Sequence, residues 1–131
     1  MGLDVSHDCW RGAYSAFKRF RDAIRETAGI DDDAWGEEIN HIVREGKVDA
    51  DLLGDYCDWE PDDDIKYLLA HSDCDGLIWP RHALKIAVRL EELIPELPDE
   101  QGGHLNLIPN AKSFVAGCYK AAALGEPLRF G

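Results

Sequence analysis

Basic residues are scarce in this chain. Fourteen Lys and Arg stand against twenty-six Asp and Glu, a formal net charge of −12 over 131 residues. Such a chain repels phosphate backbones, which argues against direct nucleic-acid binding. No Gly-rich phosphate loop with lysine and no C₂H₂ zinc-finger spacing occurs, which points the same way. No apolar run approaches the length of about 18 residues that a membrane helix needs, so no membrane span is predicted. The first residues lack a basic stretch followed by an apolar one, so no secretory signal is predicted either. There are only four cysteines, Cys9, Cys57, Cys74 and Cys118. They are too scattered for a disulfide framework, and the expectation is reduced thiols in a cytoplasmic protein.

What is present suits a globular domain. Hydrophobic residues make up 45% of the chain and aromatics 9%. That supplies one core of ordinary size, so the expectation is a single domain over 1–131. The charge is unevenly placed. Residues 31–64 hold fourteen acidic groups and two basic ones, Arg44 and Lys47, so the whole net charge falls in this quarter of the chain. Such a surface attracts basic partners, although charge runs often serve solubility alone. The candidate contact residues are Asp49, Asp51, Asp55, Asp58, Glu60, Asp62, Asp63 and Asp64, with Trp59 as an aromatic anchor among them.

Periodicity predicts a mainly helical or α+β domain. Residues 3–7 alternate as a short strand, and Ser6 or Asp8 can cap a helix opening near Cys9. Trp10, Ala13, Tyr14, Phe17, Phe20, Ile24 and Ala28 recur at helical spacing up to Gly29. Arg11, Lys18 and Arg25 lie seven apart on one flank, which can bind a partner or neutralise the acidic segment internally; internal neutralisation is the expectation. Asp31-Asp32-Asp33 opens a second helix with Trp35, Ile39, Ile42 and Val43 on its apolar side. Pro61, followed by three aspartates, opens another carrying Ile65, Leu68 and Leu69. Pro80 opens the clearest helix, with Ala83, Ala87, Leu90 and Ile94 in register and Pro95 stopping it. Residues 95–109 read as a loop. Asn110 can cap a last helix carrying Phe114, Val115 and Cys118 and ended by Gly125. Leu128–Phe130 can pair with the N-terminal strand, giving a small two-stranded sheet that joins the termini.

Residues 71–82 concentrate metal-type side chains. Laid on the twelve-residue calcium loop of an EF-hand, Asp73 and Asp75 fall on ligand positions three and five. Gly76 falls on the sharp-turn position and Ile78 on the apolar position eight. His71 stands at position one and His82 at position twelve, where Asp and Glu belong. The loop therefore resembles half an EF-hand. A mixed carboxylate–imidazole set of His71, Asp73, Asp75 and His82 suits zinc or manganese better than calcium. Two other arrangements compete. His7 and Cys9 with His71 and Cys74 would make a two-Cys two-His zinc site. Cys9 at a helix N-terminus, or Cys74, would act as a nucleophile beside a histidine. The structural alternative is a turn held by aspartate side chains around Gly76.

The opening Met1–His7, the Leu68–Gly76 stretch with its His-Ser-Asp-Cys-Asp-Gly core, and Phe114–Cys118 resemble small uncharacterised proteins of phages and bacteria. The resemblance implies a prokaryotic or phage cytoplasmic origin and brings no activity with it. The leading expectation is a small non-enzymatic binding protein. It would engage a basic partner through the acidic segment, for instance as an inhibitor occupying the nucleic-acid groove of a host defence machine. The alternative is a metal-binding module, structural or hydrolytic, centred on 71–82.

Overall fold

Val5 and Trp10 face each other across a tight reversal, and that reversal starts the sheet. The computed structural model describes residues 2–45, 59–71, 76–98 and 106–131. Strand β1 (Gly2–Val5) pairs antiparallel with β2 (Trp10–Ala13), and the Cys9 N–H donates to the Ser6 carbonyl at 3.2 Å between them. Helix α1 (Tyr14–Thr27) follows directly. Helix α2 (Asp32–Arg44) and the short α3 (Lys66–Leu69) come next, and then strand β3 (Gly76–Ile78). Helix α4 (Pro80–Leu93) runs into a 3₁₀ turn at Ile94–Glu96. Helix α5 (Leu107–Leu124) and strand β4 (Leu128–Phe130) complete the fold.

The architecture is α+β: helices on a four-stranded antiparallel sheet of order β2-β1-β4-β3. The expected pairing of the termini is present as β1 with β4, and β2 and β3 extend it on either side. Alternation sorts the strands. Leu3, Val5, Trp10, Ile78, Leu128 and Phe130 are buried, whereas Asp4, Arg11 and Arg129 are exposed. An aromatic cluster fills the buried side. Trp10, Phe20, Phe114 and Phe130 surround Phe17 with ring centroids 5.1–6.4 Å from it. Each such fully buried side chain contributes roughly 1.5–3 kcal/mol by leaving water.

Three expectations need correction. Trp10–Ala13 is a strand and the helix begins only at Tyr14, because the chain reverses at His7-Asp8 and lays Trp10 beside Val5. Neither Ser6 nor Asp8 caps a helix, and Arg11 sits on β2, where it pairs with Asp4. The 71–79 segment contains β3, whose Gly76 has φ 101, a conformation that favours glycine. Helix α5 starts at Leu107, three residues ahead of Asn110. Pro109 is accommodated because the first turn of a helix needs no N–H donor there. The stop at Gly125 is as expected, with φ 67 beyond the last turn.

Candidate functional site

The acidic segment is partly used inside the molecule. Asp31 caps α2, accepting from the Ala34 N–H at 3.0 Å. The buried Lys66 ammonium donates to Glu38 at 2.7 Å and to Asp62 at 2.6 Å. Burial works against the Lys66 charge, but these two bonds outweigh it and hold its pKa above the ordinary value. The same bond holds the Asp62 carboxyl below the usual range. Asp63 takes a bidentate pair from Arg89 at 3.0 and 3.1 Å and also accepts from the Ile65 N–H. Asp32 lies 3.7 Å from Arg25, so part of the α1 basic flank does neutralise the segment internally.

Among the described residues of the segment, four carboxylates are left over. Asp33, Glu37, Glu60 and Asp64 carry no ion pair among the described residues. Two of them lie on α2, which buries only Trp35 and Ile42 and so stands at the edge of the fold. Trp59 is turned inward. It is 6% exposed and packs edge-on against Tyr67 at 5.7 Å, so it offers no anchor to a partner. Asp49, Asp51, Asp55 and Asp58 lie outside the described residues.

The histidines of the 71–82 loop have separate neighbours. The His71 ring lies on Phe130 at 4.1 Å, and its Nε2 bonds the Leu77 carbonyl at 3.0 Å. Coordination by His71 would therefore run through Nδ1. The His82 ring stacks on Tyr67 at 4.3 Å. Burial, with Arg81 and Lys85 nearby, pushes its pKa down to about 4, so it is neutral at physiological pH. Asp73, Cys74 and Asp75 lie outside the described residues. Among the described residues, no group of three His, Cys, Asp or Glu side chains is placed to share a metal ion.

Sequence reasoning missed a third constellation. His7 (φ 61) and Asp8 (φ 59) are consecutive left-handed residues at the centre of a tight hairpin turn. Gly and Asn usually fill these places, and each side chain here costs on the order of 1 kcal/mol of strain. His7 Nδ1 lies 2.8 Å from Ser6 Oγ, and His7 Nε2 lies 2.9 Å from Glu126 Oε1. Glu126 is 119 positions away, so no local pattern could announce the contact. The turn borders a cleft of about 510 Å³ whose lining includes Asp4, Ser6, His7, Arg11 and Arg129.

Cys9 points the other way from His7. It is buried, with Sγ 3.6 Å from the Phe114 carbonyl, and it sits in the hairpin rather than at a helix N-terminus. It therefore lacks the helix-dipole activation expected of a nucleophile. Cys118 is also a buried free thiol; its hydrogen bond with Cys9 and its burial hold its pKa well above the usual value. Set against family models, curated proteins and solved structures, the chain matches none of them. Among the described residues, no helix is long and apolar enough to cross a membrane.

Proposed function

We propose that this is a partner-binding protein of phage or bacterial type, acting in the cytoplasm through its acidic surface. The observation that carries this reading is the set of carboxylates left over after internal pairing. Lys66, Arg89 and Arg25 already have acidic partners, yet Asp33, Glu37, Glu60 and Asp64 carry no ion pair among the described residues. Unneutralised carboxylates raise a negative surface potential that a basic groove relieves. A groove built for nucleic-acid phosphate is such a partner, and an inhibitor of a host nucleic-acid-binding machine is the specific instance. The test is competition. Host proteins captured by the immobilised chain should be released by duplex DNA, and the Asp33→Asn/Glu37→Gln/Glu60→Gln variant should capture markedly less of them. Capture that neither DNA nor these substitutions disturb would contradict the reading.

A second reading keeps the 71–82 loop as a zinc or manganese site. It is favoured by the Nε2 bond of His71 to a backbone carbonyl, the usual orientation of a histidine that coordinates through its other nitrogen. His71, Asp73 and Asp75 would be the ligands. His82 would join only by leaving its stack on Tyr67.

A further inference from the structure

We propose that Ser6 is a nucleophile toward small carboxylic esters, with His7 as its base and Glu126 as the positioning carboxylate. The hydrogen-bond directions carry the argument. The Arg129 backbone N–H donates to Ser6 Oγ at 2.9 Å, which leaves the hydroxyl hydrogen free to donate to His7 Nδ1 at 2.8 Å. A neutral ring that accepts at Nδ1 carries its hydrogen on Nε2, and Nε2 faces Glu126 Oε1 at 2.9 Å. One tautomer thus satisfies every contact, and it is the order hydroxyl, imidazole, carboxylate that activates a serine.

Two further features fix the same turn. The backbone at His7 and Asp8 is left-handed without glycine, a strain that tends to persist where geometry serves function. On α5, Gly117 leaves room for the turn. A Cβ there would overlap Cys9 Sγ and lie 2.8 Å from the His7 carbonyl. Ser6 lines a cleft of about 510 Å³, large enough for a small ester. Arg129 also lines it and carries no ion pair among the described residues, so a guanidinium is present to stabilise an oxyanion.

The chemistry closes without a cofactor. Ser6 Oγ bonds to the ester carbonyl carbon while its proton passes to His7 Nδ1. The bond from that carbon to the alcohol oxygen breaks, and the same proton leaves with the alcohol. Water then attacks the acyl-serine, giving one proton to His7 and releasing the carboxylic acid, and that proton returns to Ser6 Oγ. The sum is ester plus water to acid plus alcohol.

The test uses a fluorophosphonate probe on the folded full chain, with mass mapping of the adduct and p-nitrophenyl acetate as substrate. One adduct is expected, on Ser6, and none in Ser6→Ala, which also loses ester turnover. His7→Gln should slow labelling by roughly 10²-fold, the usual contribution of a positioned base. Because the turn itself constrains His7, Glu126→Gln provides the second variant. Its exposed amide still accepts from Nε2, so the fold and tautomer persist while the charge is lost, and labelling should slow severalfold at unchanged melting temperature. No adduct at Ser6, or equal labelling rates in wild type and both variants, would overturn the proposal and leave the contacts as a latch between the hairpin and the C-terminal strand.

Discussion

Two glycine-to-alanine substitutions should move stability in opposite directions. Both glycines lie inside helices, Gly36 in α2 and Gly117 in α5. Alanine in a helix interior is favoured over glycine by about 0.8–1.0 kcal/mol. At Gly36 nothing lies within 4 Å of an added Cβ, so that gain should appear in full. At Gly117 the Cβ would overlap Cys9 Sγ and sit 2.8 Å from the His7 carbonyl and 3.1 Å from Cys9 Cα. Two of these three neighbours are backbone and cannot rotate away. Overpacking of that kind costs about 1–3 kcal/mol, which outweighs the helix gain. Gly117→Ala should therefore lower stability by about 1 kcal/mol net, with Gly36→Ala raising it by a similar amount. Urea unfolding followed by tryptophan fluorescence reads both as shifts in midpoint at constant slope. Adding Cys9→Ala to Gly117→Ala should recover only part of the loss, since the His7 carbonyl stays in place. If Gly117→Ala is as stabilising as Gly36→Ala, the close seating of the His7–Cys9 turn on α5 is wrong.

Other outcomes follow from buried groups and from the loop. The His82 pKa falls from 6.5 to about 4 on folding, so the unfolded chain binds more protons in that interval. Its stabilising contribution is complete above pH 6.5 and is lost as pH falls toward 4. Discounted for solvent screening, it is worth about 1–2 kcal/mol. His82→Phe, which keeps a ring against Tyr67, should flatten the stability–pH curve between those limits; an unchanged slope would refute the assignment. All four cysteines should alkylate after unfolding without reductant, and in the folded state Cys118 should react slowest among Cys9, Cys57, Cys74 and Cys118. A freshly purified mass two hydrogens short would show a disulfide instead. Under the metal reading, zinc or manganese raises the melting temperature, calcium does not, and His71→Ala abolishes the shift. A flat response to all three ions rejects that site.

Much of the helical framework was legible. Pro80 with Ala83, Ala87 and Leu90 marked α4, the aspartates at 31–33 marked the start of α2, and Gly125 marked the end of α5. Strand β2 was not, because Trp10, Ala13, Tyr14 and Phe17 fall at helical spacing whether or not the first of them are helical. The reversal that decides the matter uses His7-Asp8, where the usual Asn-Gly signal is missing. Strand β3 has only three residues, and pairing with β4 defines it rather than any pattern of its own. The acidic segment was visible as composition, but its division into paired and unpaired carboxylates was not. That division depends on contacts such as Lys66 with Glu38, 28 positions apart. Ser6 and His7 were in view as neighbours, and only the fold brings Glu126 to them.

The most direct test of the acidic-surface account is the salt dependence of binding to a captured partner, measured for wild type and for Asp33→Asn/Glu37→Gln/Glu60→Gln. Exposed charge contacts weaken as the screening length falls from about 10 Å at 0.1 M salt to about 3 Å at 1 M. The account predicts steep weakening for the wild type and a lower affinity with a flatter slope for the variant. Binding of equal strength and equal slope in the two proteins would contradict it.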